Sequence, residues 1–171
     1  MKQLIILIII AVGVVIISNS NEYVEIPVSS IRMRVVAASD STKDQAEKMV
    51  VKSFVEEKLY ELIEEAKSDE EAYKIIEESK EEIDEEITSQ MQKMNLDSDY
   101  SSKVGDNYFP EKDFKGLRYR AGNYKSFVVT LGEGQGENWW CVLYPPLCLI
   151  DENKTDYEYH SLIKDTILKY N

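Results

Sequence analysis

Histidine occurs once in this 171-residue chain, at His160, and cysteine only twice, at Cys141 and Cys148. One imidazole cannot build a histidine-rich metal centre, and no nucleophile motif stands near it, so His160 is expected in a packing or surface role. The C-x6-C pair has no histidine companions and does not read as a zinc site. Two readings of it stay open: a disulfide closing an eight-residue loop, or two buried free thiols. Basic charge is also scarce. Twenty Lys and Arg face 32 Asp and Glu, a formal net charge of −12, which argues against nucleic acid or an anionic membrane surface as a partner. With 4 Pro and 7 Gly the composition is that of a folded domain rather than a low-complexity chain. A nucleotide fingerprint is absent too. Gly132, Gly134 and Gly136 form a GxGxG run, but a strand pattern follows where a phosphate cradle needs a helix N-terminus, and Glu133 and Glu137 sit where phosphate would go. No cofactor and no metal are implied.

What is present begins with export. After Met1 and Lys2, fourteen apolar residues run without interruption from Leu4 to Ile17, followed by Ser18-Asn19-Ser20-Asn21. A helix of that length reaches about 21 Å against a hydrocarbon core of about 30 Å. Residues 1–20 therefore read as a signal peptide or an N-terminal anchor, which would be the chain's one link to a membrane. Residues 21–30 read as a linker and 31–171 as a single domain, large enough to bury a core.

In that domain IRMRVVA, residues 31–37, alternates apolar and charged positions and suits a strand with one buried face. Ser41 with Asp44 caps a helix expected over 42–66, and Ser68 with Glu71 caps a second amphipathic stretch reaching Met94, with a break near Ser79. Between residues 41 and 96 there are 17 acidic side chains against 8 Lys, the pattern of a solvated helical face. The apolar stripe of the second stretch fits a helix packed on its own sheet better than a coiled-coil seam. Extended segments are expected at 100–109, 117–120, 124–131 and 138–144, the last two joined as an antiparallel hairpin through the glycine loop. Pro145-Pro146 ends the final strand, and a terminal helix is expected over 157–170. The fold class is α+β, with acidic helices on one face of a mainly antiparallel sheet.

Adjacent residues on a strand point to opposite faces, so one of Trp139 and Trp140 is expected in the core and the other on the outer face, unless a third element covers both. With Gly132, Gly134, Gly136, Asn138, Tyr144, Pro145 and Pro146, the outward tryptophan would make a preorganised aromatic patch for a protein partner. Two rivals use the same residues. Glu133 or Glu137 beside the tryptophans would serve a secreted glycan hydrolase, and the tryptophans alone would serve as sugar platforms of a cell-wall-binding module. Asn153-Lys154-Thr155 matches a glycosylation tripeptide, a pattern that arises easily by chance.

The run LGEGQGENWWCVLYPPLC, from Leu131 to Cys148, resembles the signature of the stage II sporulation protein R family of endospore-forming Gram-positive bacteria. IRMRVVAASDS from Ile31 and the following Asp44-Gln45-Ala46 resemble that family's opening strand and helix start, although Arg120 stands where the family pattern leads one to expect proline. The resemblance implies a non-enzymatic signal, made in the forespore and secreted into the space between forespore and mother-cell membranes. There it would trigger a membrane-embedded aspartic protease of the mother cell, its receptor, to process the precursor of sporulation sigma factor E.

Overall fold

A computed structural model describes residues 23–96, 98–150 and 153–170; the expected leader lies outside them. The chain order is β1 (Val24–Glu25), β2 (Ile31–Val36), α1 (Thr42–Ile63), α2 (Asp69–Glu78), α3 (Lys80–Lys93), β3 (Tyr100–Phe109), β4 (Lys112–Phe114), β5 (Leu117–Tyr119), β6 (Gly122–Leu131), β7 (Asn138–Tyr144) and α4 (Asp156–Tyr170). The helix starts follow from their caps. Ser41 accepts a hydrogen bond from the Asp44 N–H at 3.1 Å, and Ser68 accepts one from the Glu71 N–H at 3.2 Å, each satisfying a donor that the first turn leaves unpaired. The expected break falls at Ser79, between α2 and α3. No helix among the described residues is long and apolar enough to cross a membrane.

Two layers of core lie on the two faces of the main sheet. Ile31, Met33 and Val35 on β2 meet Phe127, Val129 and Leu131 on β6, and the helices cover them with Val51, Phe54 and Leu59 of α1, Ile76 of α2, and Ile83 and Ile87 of α3. The apolar stripe of α2 and α3 is thus spent on the protein's own core. On the opposite face a second cluster joins Ile26, Leu117, Tyr119, Val142 and Leu147 to Tyr159, Ile163 and Ile167 of α4. This corrects the one-buried-face expectation for β2. Arg32, on the second face, is 0% exposed, because the short sheet β1-β5-β4 and α4 roof that face.

Strand order in the main sheet is β3-β6-β2-β7. The expected β6–β7 hairpin does not form. β2 lies between the two, parallel to β6 with Arg32 opposite Ser126, and antiparallel to β7 with Met33 opposite Cys141. A strand buried on both faces has no water for its backbone groups, so both of its edges must be paired, and that puts β2 at the centre. Residues 132–137 bridge the two strand spacings, about 10 Å, with length to spare. Elsewhere β3 pairs antiparallel with β6 over all ten of its residues, and β4 pairs antiparallel with β5. Part of the expected linker is also in the fold. Val24 and Glu25 pair parallel with Leu117 and Arg118, and Ile26 is 2% exposed, so packing begins before Ile31; the apolar Val24 and Ile26 have a cluster to enter.

Candidate functional site

The nine residues expected to form one contact patch are distributed along β7 and beyond its two ends. The glycine loop rides over the end of β2 and the turn into α1. The N–H of Gly136 donates to Ala37 O at 3.0 Å and that of Gln135 to Ala38 O at 3.2 Å, while the Glu137 N–H donates to Asp40 Oδ1 at 2.6 Å. A Cβ on Gly136 would lie 2.3 Å from Ser39 O, so glycine is required there by the close approach of its own chain. Gly134 has φ +64 and Gly132 φ +50, the left-handed region that suits glycine. At the other end of β7, Tyr144 is buried with its ring edge-on to Tyr170 at 5.2 Å, and Pro145 is buried beside it behind a cis peptide bond. The seven residues of β7 separate the glycine loop from the prolines by about 20 Å.

Trp139 and Trp140 point to opposite faces as expected, but each finds a covering layer and both are half-buried. Trp139 packs against the helical core, where Lys52 Nζ sits 4.5 Å from the centre of its ring. Trp140 packs against the second cluster. Phe109 and Tyr119 meet it edge-on at 5.6 and 5.1 Å. Behind it lies Arg32, whose guanidinium stacks 3.4 Å from the centre of the Tyr124 ring and also faces Phe109, Tyr119 and Trp140. Among the described residues no acceptor reaches the Arg32 nitrogens in hydrogen-bonding geometry. Burial pulls its pKa below the ordinary value, opposed by the neighbouring Tyr124 and Tyr119. The cation is held by ring faces rather than by a carboxylate.

A cleft of about 150 Å³ opens beside Trp140. Residues 138–142 line one wall in an unbroken run, and Lys112, Phe114, Tyr119 and Tyr159 line the other, with Leu147 and Cys148 at one end. Side chains alternate between faces along a strand, so five consecutive residues line one cleft only if it runs along the strand's edge. β7 is a terminal strand of its sheet. Cys141 and Cys148 are joined as a disulfide with their Cα atoms 5.5 Å apart, which resolves the two readings of the pair. The bridge folds the chain back so that the N–H groups of Leu147 and Cys148 both donate to Val142 O, each at 3.2 Å. That closes one end of the edge.

The cleft thus joins Asn138, Trp139, Trp140, Cys141 and Cys148 of the expected site residues, and leaves out the glycines, Tyr144 and the two prolines. Lys112, Phe114, Tyr119 and Tyr159 are new to it. Their signal in the sequence was faint: Phe114 sits in a turn-rich stretch between two lysines, and only the second layer brings it to β7. Arg32 had a plainer signal, a charge alternating with core residues on a central strand. Glu133 and Glu137 are exposed and line no part of the cleft, which has no carboxylate among its described lining residues. His160 is half-buried, with Cδ2 placed 3.2 Å from where a Cβ on Gly116 would be, a packing position. Thr155 of the glycosylation-like tripeptide caps α4, its hydroxyl donating to Glu158 at 2.7 Å.

The family model described as stage II sporulation protein R (spore_II_R) matches residues 27–154. The chain is also 36% identical over 133 residues to the curated stage II sporulation protein R of Bacillus subtilis (strain 168). That alignment takes in 78% of this chain and 59% of the relative, so the chain spans about three fifths of the relative's length. No solved structure matches the chain. The matched segment holds β2, the glycine loop, the disulfide and every described residue of the cleft lining except Tyr159, and on that evidence the chain belongs to the stage II sporulation protein R family.

Proposed function

We propose that this protein is an intercellular signal of endospore formation. It is exported from the forespore by its N-terminal leader into the space between the forespore and mother-cell membranes. There it docks on the extracytoplasmic part of a membrane-embedded aspartic protease of the mother cell, which then processes the precursor of sigma factor E. Family membership supports a role in sporulation. The observation that carries the docking part is the edge cleft: aromatic, rigidified by the Cys141–Cys148 bridge, and without a carboxylate or histidine among the described residues of its lining. Such a surface is equipped to bind and not to catalyse. Docking activates only by favouring one receptor state, so the protein binds the active state of the protease more tightly than the resting one.

The glycan readings fare less well. A sugar platform needs an open ring face, and the Trp140 ring is approached by Arg32, Lys112, Phe109 and Tyr119. Co-expression with the receptor protease and the sigma precursor in a non-sporulating host tests the proposal. Cleavage is expected with the parent chain and is expected to fall in a Trp139→Ala, Trp140→Phe double variant whose circular dichroism matches the parent. No cleavage with the parent sinks the signalling role, and full cleavage by the folded double variant sinks the tryptophan surface.

A further inference from the structure

We infer that the open edge of β7 is a strand-addition site that receives an extended segment of the receptor carrying an acidic side chain, an inference that rests on the docking reading above. The backbone parity of β7 follows from its register. Met33 opposes Cys141 and Val35 opposes Trp139, and these inward pairs alternate with Arg34 opposite Trp140 and Val36 opposite Asn138. Val142, of the same parity as Trp140 and Asn138, turns its carbonyl away from β2 to accept from Leu147 and Cys148. The N–H and C=O groups of Trp140 and Asn138 therefore point away from the sheet into the cleft, where an extended chain would pair with them. The edge is short, which limits addition to a few residues. One side chain of the incoming segment would enter the 150 Å³ cleft.

The charge of that side chain follows from the lining. In a molecule of net charge −12, the cleft has no acidic residue among the described residues that line it and carries Lys112 at its rim, with Nζ 5.3 Å from the Trp140 ring centre. Arg32 stands behind the same ring at 5.5 Å. Lys112 is the one charged side chain among the described lining residues, while the molecule as a whole repels anions, so the cleft favours a carboxylate presented at one place over a polyanion.

A photo-crosslinking amino acid at Phe114, in the full chain co-expressed with the receptor protease, reads the contact directly. Crosslinks are expected on an extracytoplasmic receptor segment that contains Asp or Glu. Lys112 is exposed, so Lys112→Glu leaves the fold intact; it is expected to slow precursor cleavage about tenfold and to be rescued by placing Lys at the crosslinked carboxylate. Hydrogen exchange of the purified full chain with purified receptor protease should slow at the Trp140 amide. Crosslinks confined to a second copy of this chain, or unchanged Trp140 exchange, overturn the inference, as does parental activity in Lys112→Glu. Crosslinking and exchange do not depend on cleavage, so they can succeed where the signalling reading fails. Likewise, cleavage by the parent with neither contact signal leaves signalling intact and removes this site.

Discussion

Arg32 is the residue at which ordinary stability rules are most strained. A guanidinium that is 0% exposed and lacks a carboxylate forfeits its hydration, a cost of several kcal/mol, offset by the stacked ring of Tyr124 and three further rings, worth about 2 kcal/mol or more together. Because the ring contacts offset only part of that cost, and an apolar side chain of similar length keeps the packing, Arg32→Met should be no less stable than the parent in urea denaturation. Arg32→Lys should lose about 2 kcal/mol, since an ammonium is more strongly hydrated and cannot stack flat. Equal loss in both variants would show that volume and not ring contact governs the site. A second residue-scale effect concerns acid. Ser39 donates a hydrogen bond to Asp44, and Ser41 bonds it more weakly, so the Asp44 carboxyl titrates below 3.8. A depressed carboxylate contributes stability above its unfolded pKa and loses it as pH falls through the folded value. Ser39→Ala should therefore melt below the parent at neutral pH, and the gap should close as pH drops below about 3.8. A gap that persists at pH about 2 would assign the loss to packing instead.

Among the elements, β7 depends most on a constraint outside its own sheet. It pairs with β2 on one edge only, and the return of the chain through Leu147 and Cys148 holds the other edge at Val142. Replacing both cysteines by serine releases an eight-residue loop, for which chain entropy gives a loss of about 2.5 kcal/mol. Chemical denaturation of the double variant against the parent under oxidising conditions measures it. Under reducing conditions the two should coincide, and a remaining difference would place the cost in the serines themselves. Caps and strand segments were legible because they are local: Ser41, Ser68, the break at Ser79 and the bounds of β3 and β7 all rest on neighbours a few residues away. Two short strands, β1 and β4, carried no readable periodicity, since strands of two and three residues have no room to show one.

Charge is segregated across the whole molecule. The helical layer holds 17 acidic side chains against 8 lysines between residues 41 and 96, while residues 111–120 carry Lys112, Lys115, Arg118 and Arg120 against Glu111 and Asp113, with Arg118 paired to Asp113 and Arg120 to Glu25. Repulsion within the helical layer is screened by salt, so raising ionic strength from about 0.02 M to about 0.3 M should raise Tm by about 2–4 °C. A Tm that is flat or falls would mean that pairs such as Lys58 with Glu82 at 2.6 Å outweigh the repulsion. The sequence alone determined the α+β class, the helix starts and the family. Each of these is written in local spacing or in a contiguous run of side chains. Only the tertiary structure decided that β2 enters between β6 and β7, that the glycines serve the chain's own turn, and that Trp140 shares a cleft with Lys112 and Phe114. Those outcomes depend on which faces must be covered. A strand's pattern states that a face is apolar or charged, but burial of Arg32 beneath a second layer is settled only when every remote segment has found its place.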